Sequence, residues 1–207
     1  MKKKKVNPIR KLIVSNGARL ILASASPRRI ELLKMLGCKF QIMPSKVEEK
    51  INPCLSPIQN VKRLSCLKAL DIASKISGGI MIAADTVVIL NGKILGKPKN
   101  KKEAARMLRN LSGKEHKVIT GVAVVNAKTK KLLQDVVITK VKFRRLDRDL
   151  IEKYVASGKP LDKAGAYGIQ GKGALLVESI EGDYFNVVGL PLNALNQLLE
   201  KFGINLL

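Results

Sequence analysis

Two neighbouring arginines stand where a short apolar stretch near the start of the chain gives way to a helix-start signal. Residues 24–29 read SASPRR, with Ser26 as N-cap and Pro27 at the first helical position. Free backbone N–H groups and the positive dipole end make such a site suitable for a phosphate. The dipole disfavours Arg28 and Arg29 by about 0.3–1 kcal/mol each, so an anion should compensate unless both simply point into water.

One carboxylate interrupts the apolar stretch at residues 80–90. Asp85 lies in the segment AADTVV, at the end of a predicted strand. A buried carboxylate is costly unless it is paired, hydrogen-bonded or bound to a metal, and ligands of α/β proteins bind at strand ends. The sequence therefore allows two interpretations of Asp85, a residue of a cleft site or a solvated turn residue.

Other charged residues stand among apolar neighbours. Glu49 follows the second predicted strand, Lys68 lies on a predicted helix, and Lys97 lies in the segment GKP. Two carboxylates with several cations can hold a divalent metal against a polyphosphate. Taken singly, each of these residues is more often a surface charge than a ligand. Glu48 and Lys46 are alternative candidates for the roles of their neighbours.

A glycine-rich segment precedes the last predicted strand. Residues 164–173 contain four glycines, which permit close backbone approach to a ligand, although a mobile loop is the alternative interpretation. Gln170 in this segment carries both a donor and an acceptor, which suits the carbonyl and imino groups of a pyrimidine. His116 is the single histidine. Without a second metal-ligating partner, we interpret it as a surface or structural residue.

The order of predicted elements is that of an α/β protein. Strands are predicted over 20–23, 40–43, 80–84, 87–90, 93–95, 116–126, 132–143 and 175–180, and helices over 26–36, 56–78, 100–111, 147–156 and 191–202. This order predicts a mixed twisted sheet flanked by helices, with a cleft between a more α/β lobe and a more β lobe. We expect a basic N-terminal extension over 1–18 and a single catalytic domain over 19–207.

The net charge of +23 calls for an anionic partner or reflects a Lys-rich background. Seven basic residues fall within residues 1–19, ahead of the first acid, and the others are scattered along the chain. Four Phe, three Tyr and no Trp leave few platforms for stacking nucleic-acid bases. We interpret most of the charge as background and leave weak, non-specific binding to nucleic acid open.

The cysteines and the apolar runs indicate a cytoplasmic protein. Cys38, Cys54 and Cys66 are odd in number and lack a C-x-x-C pair, which favours neither a disulfide framework nor a zinc site. The basic start followed by an apolar stretch is similar to a signal peptide. We reject that interpretation because polar residues at 16–19 interrupt the stretch. No apolar run is long enough to cross a bilayer.

These segments, in this order, resemble the Maf family, also called septum formation inhibitor Maf-like proteins, from about Arg19 to Phe202. The matching stretches are LILASASPRRIELLKMLGCKF, RLSCLKAL, AADTVVILNGKILGKP, LSGKEHKVITGVAV and SGKPLDKAGAYGIQGKGALLVESIEGDYFNVVGLPL. The resemblance implies a fold related to the inosine triphosphate pyrophosphatases. It also implies hydrolysis of nucleoside triphosphates to the monophosphate and pyrophosphate with a divalent metal, Mg²⁺ or Mn²⁺.

The resemblance assigns roles by motif position. Asp85 corresponds to the catalytic acceptor that activates water, and Glu49 and Asp85 correspond to metal contacts. The residues that correspond to substrate contacts are Ser24, Arg28, Arg29, Lys68, Thr86, Lys97 and Gln170. Of these, Arg28, Thr86 and Gln170 mark the subgroup that hydrolyses dTTP and UTP, with CTP and modified pyrimidine nucleotides as further candidates.

Two alternative functions remain open at this point. One is a housecleaning pyrophosphatase for purine or modified nucleotides. The other is a basic nucleic-acid-binding or cell-division regulatory protein, against which the few aromatic residues and the scattered charge argue. The sequence also leaves a homodimer open.

Overall fold

A mixed sheet forms the centre of the protein, in a computed structural model that describes residues 18–206. Within that range the strands are β1 Leu20–Leu22, β2 Phe40–Ile42, β3 Ile80–Leu90, β4 Lys93–Leu95, β5 Glu115–Asn126, β6 Leu132–Phe143 and β7 Val177–Glu181. The helices are α1 Pro27–Met35, α2 Pro57–Ala73, α3 Lys101–Leu111, α4 Arg148–Ala156, α5 Tyr184–Val188 and α6 Leu192–Glu200. Two short 3-10 segments, Ala164–Ala166 and Gly171–Leu176, precede β7. The predicted α/β fold with a mixed sheet and flanking helices is confirmed.

The pairing of the strands leaves a gap along one edge of β3. The order in the sheet is β2-β1-β3-β5-β6-β7, with β4 also paired to β3. The strand β5 pairs antiparallel with β3 over residues 80–89 and therefore occupies one edge. On the other edge β1 pairs in parallel with residues 80–82 and β4 pairs antiparallel with residues 88–90. Residues 83–87 lie between these two partners, where the sheet opens.

Alternate residues of β3 contribute to different cores because side chains alternate across a strand. Ile80, Ile82 and Ala84 pack in the core that includes α6. Met81 and Ala83 lie on the opposite face, where they pack with apolar residues of α2. Further along the strand, residues 88 and 90 join a separate core with α3 and α4. The gap in the sheet therefore lies where one core gives way to the next.

The predicted helix starts are present, but Ser26 does not cap α1 as expected. The side chain of Ser56 accepts from Gln59 N, and Gln59 Oε1 accepts from Ser56 N at 2.8 Å, which completes a capping box at α2. The side chain of Ser26 makes no capping bond. Its backbone N–H donates instead to Ser24 Oγ at 3.2 Å, which fixes the Ser24 hydroxyl near the first turn of α1.

The structure differs from the prediction at α2, β3 and α5. The helix α2 ends at Ala73, before the predicted Gly78, because Ser74 takes the C-cap position. The strand β3 continues through Asp85, where the sequence predicted a break. The short helix α5 was not predicted; it begins at the cap Asp183, whose carboxylate accepts from the N–H groups of residues 185 and 186.

The expected basic extension, residues 1–18, lies outside the described residues except for Ala18. None of the helices in residues 18–206 combines the length and apolar character that a bilayer span requires.

Candidate active site

A cavity of about 320 Å³ opens where the sheet parts beside β3. Side chains from β3, α1, α2 and the loops after β2 and β4 line it, together with the glycine-rich segment. Every predicted site residue belongs to this lining, namely Ser24, Arg28, Arg29, Glu49, Lys68, Asp85, Thr86, Lys97 and Gln170. The structure thus brings together residues that are spread over most of the sequence.

Two carboxylates meet one buried ammonium group on the α2 side of the cavity. Lys68 Nζ lies 2.6 Å from Asp85 Oδ1 and 2.6 Å from Glu49 Oε1. The side chains of Lys68 and Asp85 are only 6% and 9% exposed, whereas that of Glu49 is about half exposed. Lys97 Nζ approaches the second oxygen of Glu49 at 3.2 Å. The buried Asp85 is therefore a paired cleft residue and not the solvated turn residue that the sequence also allowed.

A glycine opposite Asp85 allows α2 to come this close to the sheet. Gly121 on β5 is the register partner of Asp85. A Cβ atom at this position would lie 2.6 Å from the carbonyl oxygen of Val61 in α2, which is closer than real Cβ atoms approach. Any larger residue would push α2 outward and move Lys68 away from the carboxylates.

Burial and ion pairing act differently on the two carboxylates. Burial raises the pKa of Asp85 above its usual value, and the charge of Lys68 opposes this only in part. Burial also disfavours ionisation of Glu49, but hydrogen bonds and charges from Lys68 and Lys97 outweigh it and lower its pKa to about 2. Glu49 is therefore a permanent anion, while the affinity of Asp85 for a proton is increased.

The two carboxylates also fit a divalent cation. Their oxygens contact the same nitrogen at 2.6 Å, so they lie close enough together to bind one ion. The described residues contain no cluster of three or more His, Cys, Asp or Glu side chains that could hold a metal unaided. That arrangement suits Mg²⁺, which is commonly bound by one or two carboxylates with substrate phosphates and water.

Arg29 is held rigidly at the first turn of α1. Its Nε donates to Gly189 O at 2.8 Å, its Nη2 to Thr86 Oγ1 at 3.1 Å and its Nη1 to Ser24 Oγ at 3.4 Å. Burial lowers the pKa of this guanidinium, and the nearby carboxylates Asp85 and Glu49 partly offset the effect. A guanidinium carries five N–H donors, so Arg29 retains further donors for an anion in the cavity.

Arg28 forms an ion pair with Asp162, its Nη1 lying 3.1 Å from Asp162 Oδ2. The compensating anion expected near the arginines is thus partly supplied by the protein itself. Asp162 was not predicted as a site residue, and no local pattern could identify it, because 134 residues separate it from Arg28.

The glycine-rich segment folds into tight turns that carry Gln170 to the rim of the cavity. A Cβ atom at position 173 would lie 1.7 Å from the carbonyl oxygen of Gly168, so only glycine fits there. The hydroxyl of Tyr154 accepts from Gly168 N at 3.3 Å and ties this segment to α4. Gln170 itself is exposed at the cavity.

His116 is buried behind this segment and contacts it through Tyr167. Its Nε2 lies 2.7 Å from the Tyr167 hydroxyl, and both rings pack edge-on against Phe143. Burial lowers the pKa of His116 to about 4, so the imidazole is neutral near pH 7. His116 is therefore a buried residue and not a surface one, and its Nδ1 has no hydrogen-bond partner among the described residues. Tyr167 is a cavity-lining residue that the sequence analysis missed.

Comparison with known proteins places the chain among named relatives. Residues 19–202 match the model of the family described as Maf-like protein. A protein of Dictyoglomus thermophilum named dTTP/UTP pyrophosphatase is 52% identical over 189 residues, which cover 91% of this chain and 98% of the relative. A protein of the same name from Alkaliphilus oremlandii is 54% identical over 190 residues, with 91% and 98% coverage.

One solved structure is similar at a lower level. The Staphylococcus aureus Ham1 protein aligns with a TM-score of 0.42 and 13% identity, over 60% of this chain and 71% of that one. The family model and the two relatives, in contrast, match most of the chain. The chain therefore belongs to the Maf-like protein family.

Proposed function

We propose that this protein hydrolyses dTTP and UTP to the nucleoside monophosphate and pyrophosphate, with CTP and modified pyrimidine nucleotides as further substrates. The observation that carries this proposal is the cavity in which two carboxylates and a buried lysine face two arginines at a helix N-terminus. The names of the relatives support the choice of nucleotides.

In this proposal the triphosphate lies between α1 and the ion-paired group of Glu49, Lys68 and Asp85. Arg28, Arg29 and Lys97 neutralise its charge, and the Ser24 hydroxyl together with the free N–H groups of the first turn of α1 bind phosphate oxygens. Lys68 is proposed to contact the triphosphate as well. Its ammonium group already lies 2.6 Å from an oxygen of each carboxylate, Glu49 and Asp85. Preorganised donors of this kind stabilise the charge that develops on the phosphate oxygens in the transition state.

Asp85 is proposed as the general base. Its pKa is raised by burial, which increases the proton affinity of the carboxylate, as suits a group that accepts a proton from water. It takes a proton from a water molecule whose oxygen attacks the α phosphorus. The bond from the α phosphorus to the bridging oxygen breaks, and pyrophosphate leaves with that oxygen.

Glu49 and Asp85 are proposed to hold a divalent metal, Mg²⁺ or Mn²⁺, together with phosphate oxygens. Such an ion supplies Lewis-acid stabilisation of phosphate charge and lowers the pKa of bound water. Glu49 suits this role because its low pKa keeps it charged across the physiological range.

Thr86, Arg28 and Gln170 are proposed to select the nucleotide. Gln170 offers an amide donor and acceptor from a segment that packs too tightly for side chains at Gly173. The Arg28 pair with Asp162 fixes the direction of that guanidinium.

The remaining proposals concern the domain organisation, the location and the partners of the protein. We propose a single catalytic domain over residues 19–207, preceded by the basic extension 1–18, and a cytoplasmic location, which the free thiols of Cys38, Cys54 and Cys66 support. A homodimer and weak, salt-sensitive binding to nucleic acid are further proposals, the latter supported by the net charge of +23.

A panel of nucleoside triphosphates tests the function. Pyrophosphate release is measured for dTTP, UTP, CTP, dATP, GTP and 7-methyl-GTP, with Mg²⁺ or Mn²⁺ and with chelator. The proposal predicts the highest kcat/KM for dTTP and UTP and no turnover without metal. A preference for purines would favour the housecleaning alternative, and no hydrolysis at all would favour the regulatory one.

A further inference from the structure

A series of buried polar groups leads from Thr86 into the core. Thr86 Oγ1 lies 3.0 Å from Thr120 Oγ1 on β5, and Thr120 Oγ1 lies 3.2 Å from the carbonyl oxygen of Asn186 in α5. Thr120 and Asn186 are 0% exposed, so water cannot replace these contacts. On the cavity side, Thr86 Oγ1 accepts from Arg29 Nη2 at 3.1 Å.

The two ends of this series fix the direction of every hydrogen bond in it. A guanidinium only donates, a carbonyl oxygen only accepts, and a threonine hydroxyl has a single proton. Thr120 gives its proton to the carbonyl of Asn186, so the contact between the two hydroxyls must use the proton of Thr86. The Thr86 hydroxyl then has no proton to offer a ligand and can act there only as an acceptor.

The carbonyl of Asn186 is itself held in place from several sides. Asn186 Nδ2 donates to Val118 O at 3.1 Å and to Thr139 Oγ1 at 2.9 Å, and its backbone N–H donates to the cap Asp183 at 3.1 Å. The residue that follows α5, Gly189, accepts from Arg29 Nε at 2.8 Å. The segment 183–189 therefore fixes both the Arg29 and the Thr120 ends of the series.

We propose that Thr120 is a positioning residue that locks Thr86 as a hydrogen-bond acceptor, so that Thr86 selects nucleotides carrying a donor group. The inference rests on the proposed function. Two groups of a pyrimidine nucleoside triphosphate supply such a donor, the ring N3–H of uracil or thymine and the 3′-hydroxyl of the sugar. Cytosine presents a lone pair at N3, which a locked acceptor disfavours.

The test replaces the hydroxyl of residue 120 by a methyl group of similar size. In Thr120→Val the proton of Thr86 loses its acceptor and turns toward the cavity, so Thr86 can donate as well as accept. We measure kcat/KM for UTP, CTP and 3′-deoxyuridine triphosphate. In Thr120→Val, the ratio of kcat/KM for UTP to kcat/KM for one of the other two nucleotides should fall by about tenfold, as expected for the loss of one hydrogen bond. A change against CTP identifies the base as the donor, and a change against the 3′-deoxy nucleotide identifies the sugar.

Thr139→Val is the matched control. Thr139 is equally buried and holds segment 183–189 through Asp183 and Asn186. Its replacement disturbs that segment but leaves the Thr120 hydroxyl in place to accept the proton of Thr86. It should lower thermal stability to a similar degree and leave both ratios unchanged, while Thr120→Ser should restore the wild-type ratios. If Thr120→Val does not fold, Thr120→Ala removes the same hydroxyl.

Two results would overturn the role of Thr120. One is an equal loss of kcat/KM for all three nucleotides in Thr120→Val. The other is a set of kcat/KM ratios in Thr120→Val that equals the set in Thr139→Val. A wild-type enzyme that releases no pyrophosphate from UTP would instead refute the proposed function. The two failures are therefore distinguishable.

Discussion

Replacing Asp85 by Asn should stop hydrolysis while the protein still folds. The amide keeps the shape of the carboxylate but can neither accept a proton from water nor supply charge to a metal. A general base contributes about 10²–10⁴-fold to the rate. Since Asp85 is also proposed to hold the metal, we expect a loss of kcat at or above the upper end of that range.

The effect of this change on stability follows from the ion pairs of Lys68. Breaking a buried pair by removing one partner costs about 3–5 kcal/mol when the remaining charge is left alone. Here Glu49 Oε1 stays 2.6 Å from Lys68 Nζ, and the new amide oxygen can still accept a hydrogen bond. We therefore expect a loss of only about 1–2 kcal/mol in the free energy of unfolding.

The assay compares pyrophosphate release from UTP with thermal unfolding of the same preparation. Asp135→Asn is the control, because Asp135 is an exposed carboxylate on β6 outside the cavity. That variant should match the wild type in both measurements. Near-normal turnover in folded Asp85→Asn would refute the role of Asp85 as the base, and failure to fold would refute the compensation by Glu49.

Two further predictions address the nucleotide and the buried histidine. Gln170→Glu should reduce kcat/KM for dTTP and UTP by roughly ten- to a hundred-fold more than for other nucleotides, because a carboxylate accepts but cannot donate; an equal loss for all nucleotides would contradict base selection. His116 is neutral in the folded protein, with its pKa lowered to about 4, so the unfolded chain binds the additional proton first as pH falls. Stability should thus fall by about 3 kcal/mol between pH 6.5 and 4, relative to His116→Phe, in urea titrations. Parallel pH curves for the two proteins would contradict this explanation.

The sequence predicted most of the elements but not the continuity of β3. Two helix-start signals are local, namely Ser56 with Gln59 and Asn100 with Glu103. Helices α2 and α3 begin directly after Ser56 and Asn100, as these signals predict. Asp85 looked like a strand end because an unpaired carboxylate does not belong inside an apolar strand. The strand continues because Lys68, from a helix elsewhere in the sequence, supplies the missing partner. A contact between distant segments thus overrides a local pattern.

The same limit applies to the candidate site. Motif resemblance located the residues that line the cavity, whereas Thr120, Asp162 and Gly189 were missed. Thr120 occupies an ordinary strand position, and its role exists only through Thr86 and Asn186 across the sheet. Gly189 contributes a backbone carbonyl, which residue type alone does not reveal. Helix α5 spans only residues 184–188, too few for helical periodicity to show in the sequence.

Hydrolysis of UTP in ¹⁸O-labelled water tests the central claim most directly. The proposal has Asp85 activate a water that attacks the α phosphorus, so the label should appear in UMP and not in pyrophosphate. The products should be UMP and pyrophosphate in equal amounts. Label in the pyrophosphate would place the attack at the β phosphorus, and formation of UDP with inorganic phosphate would place it at the γ phosphorus. Either result would contradict the proposed mechanism.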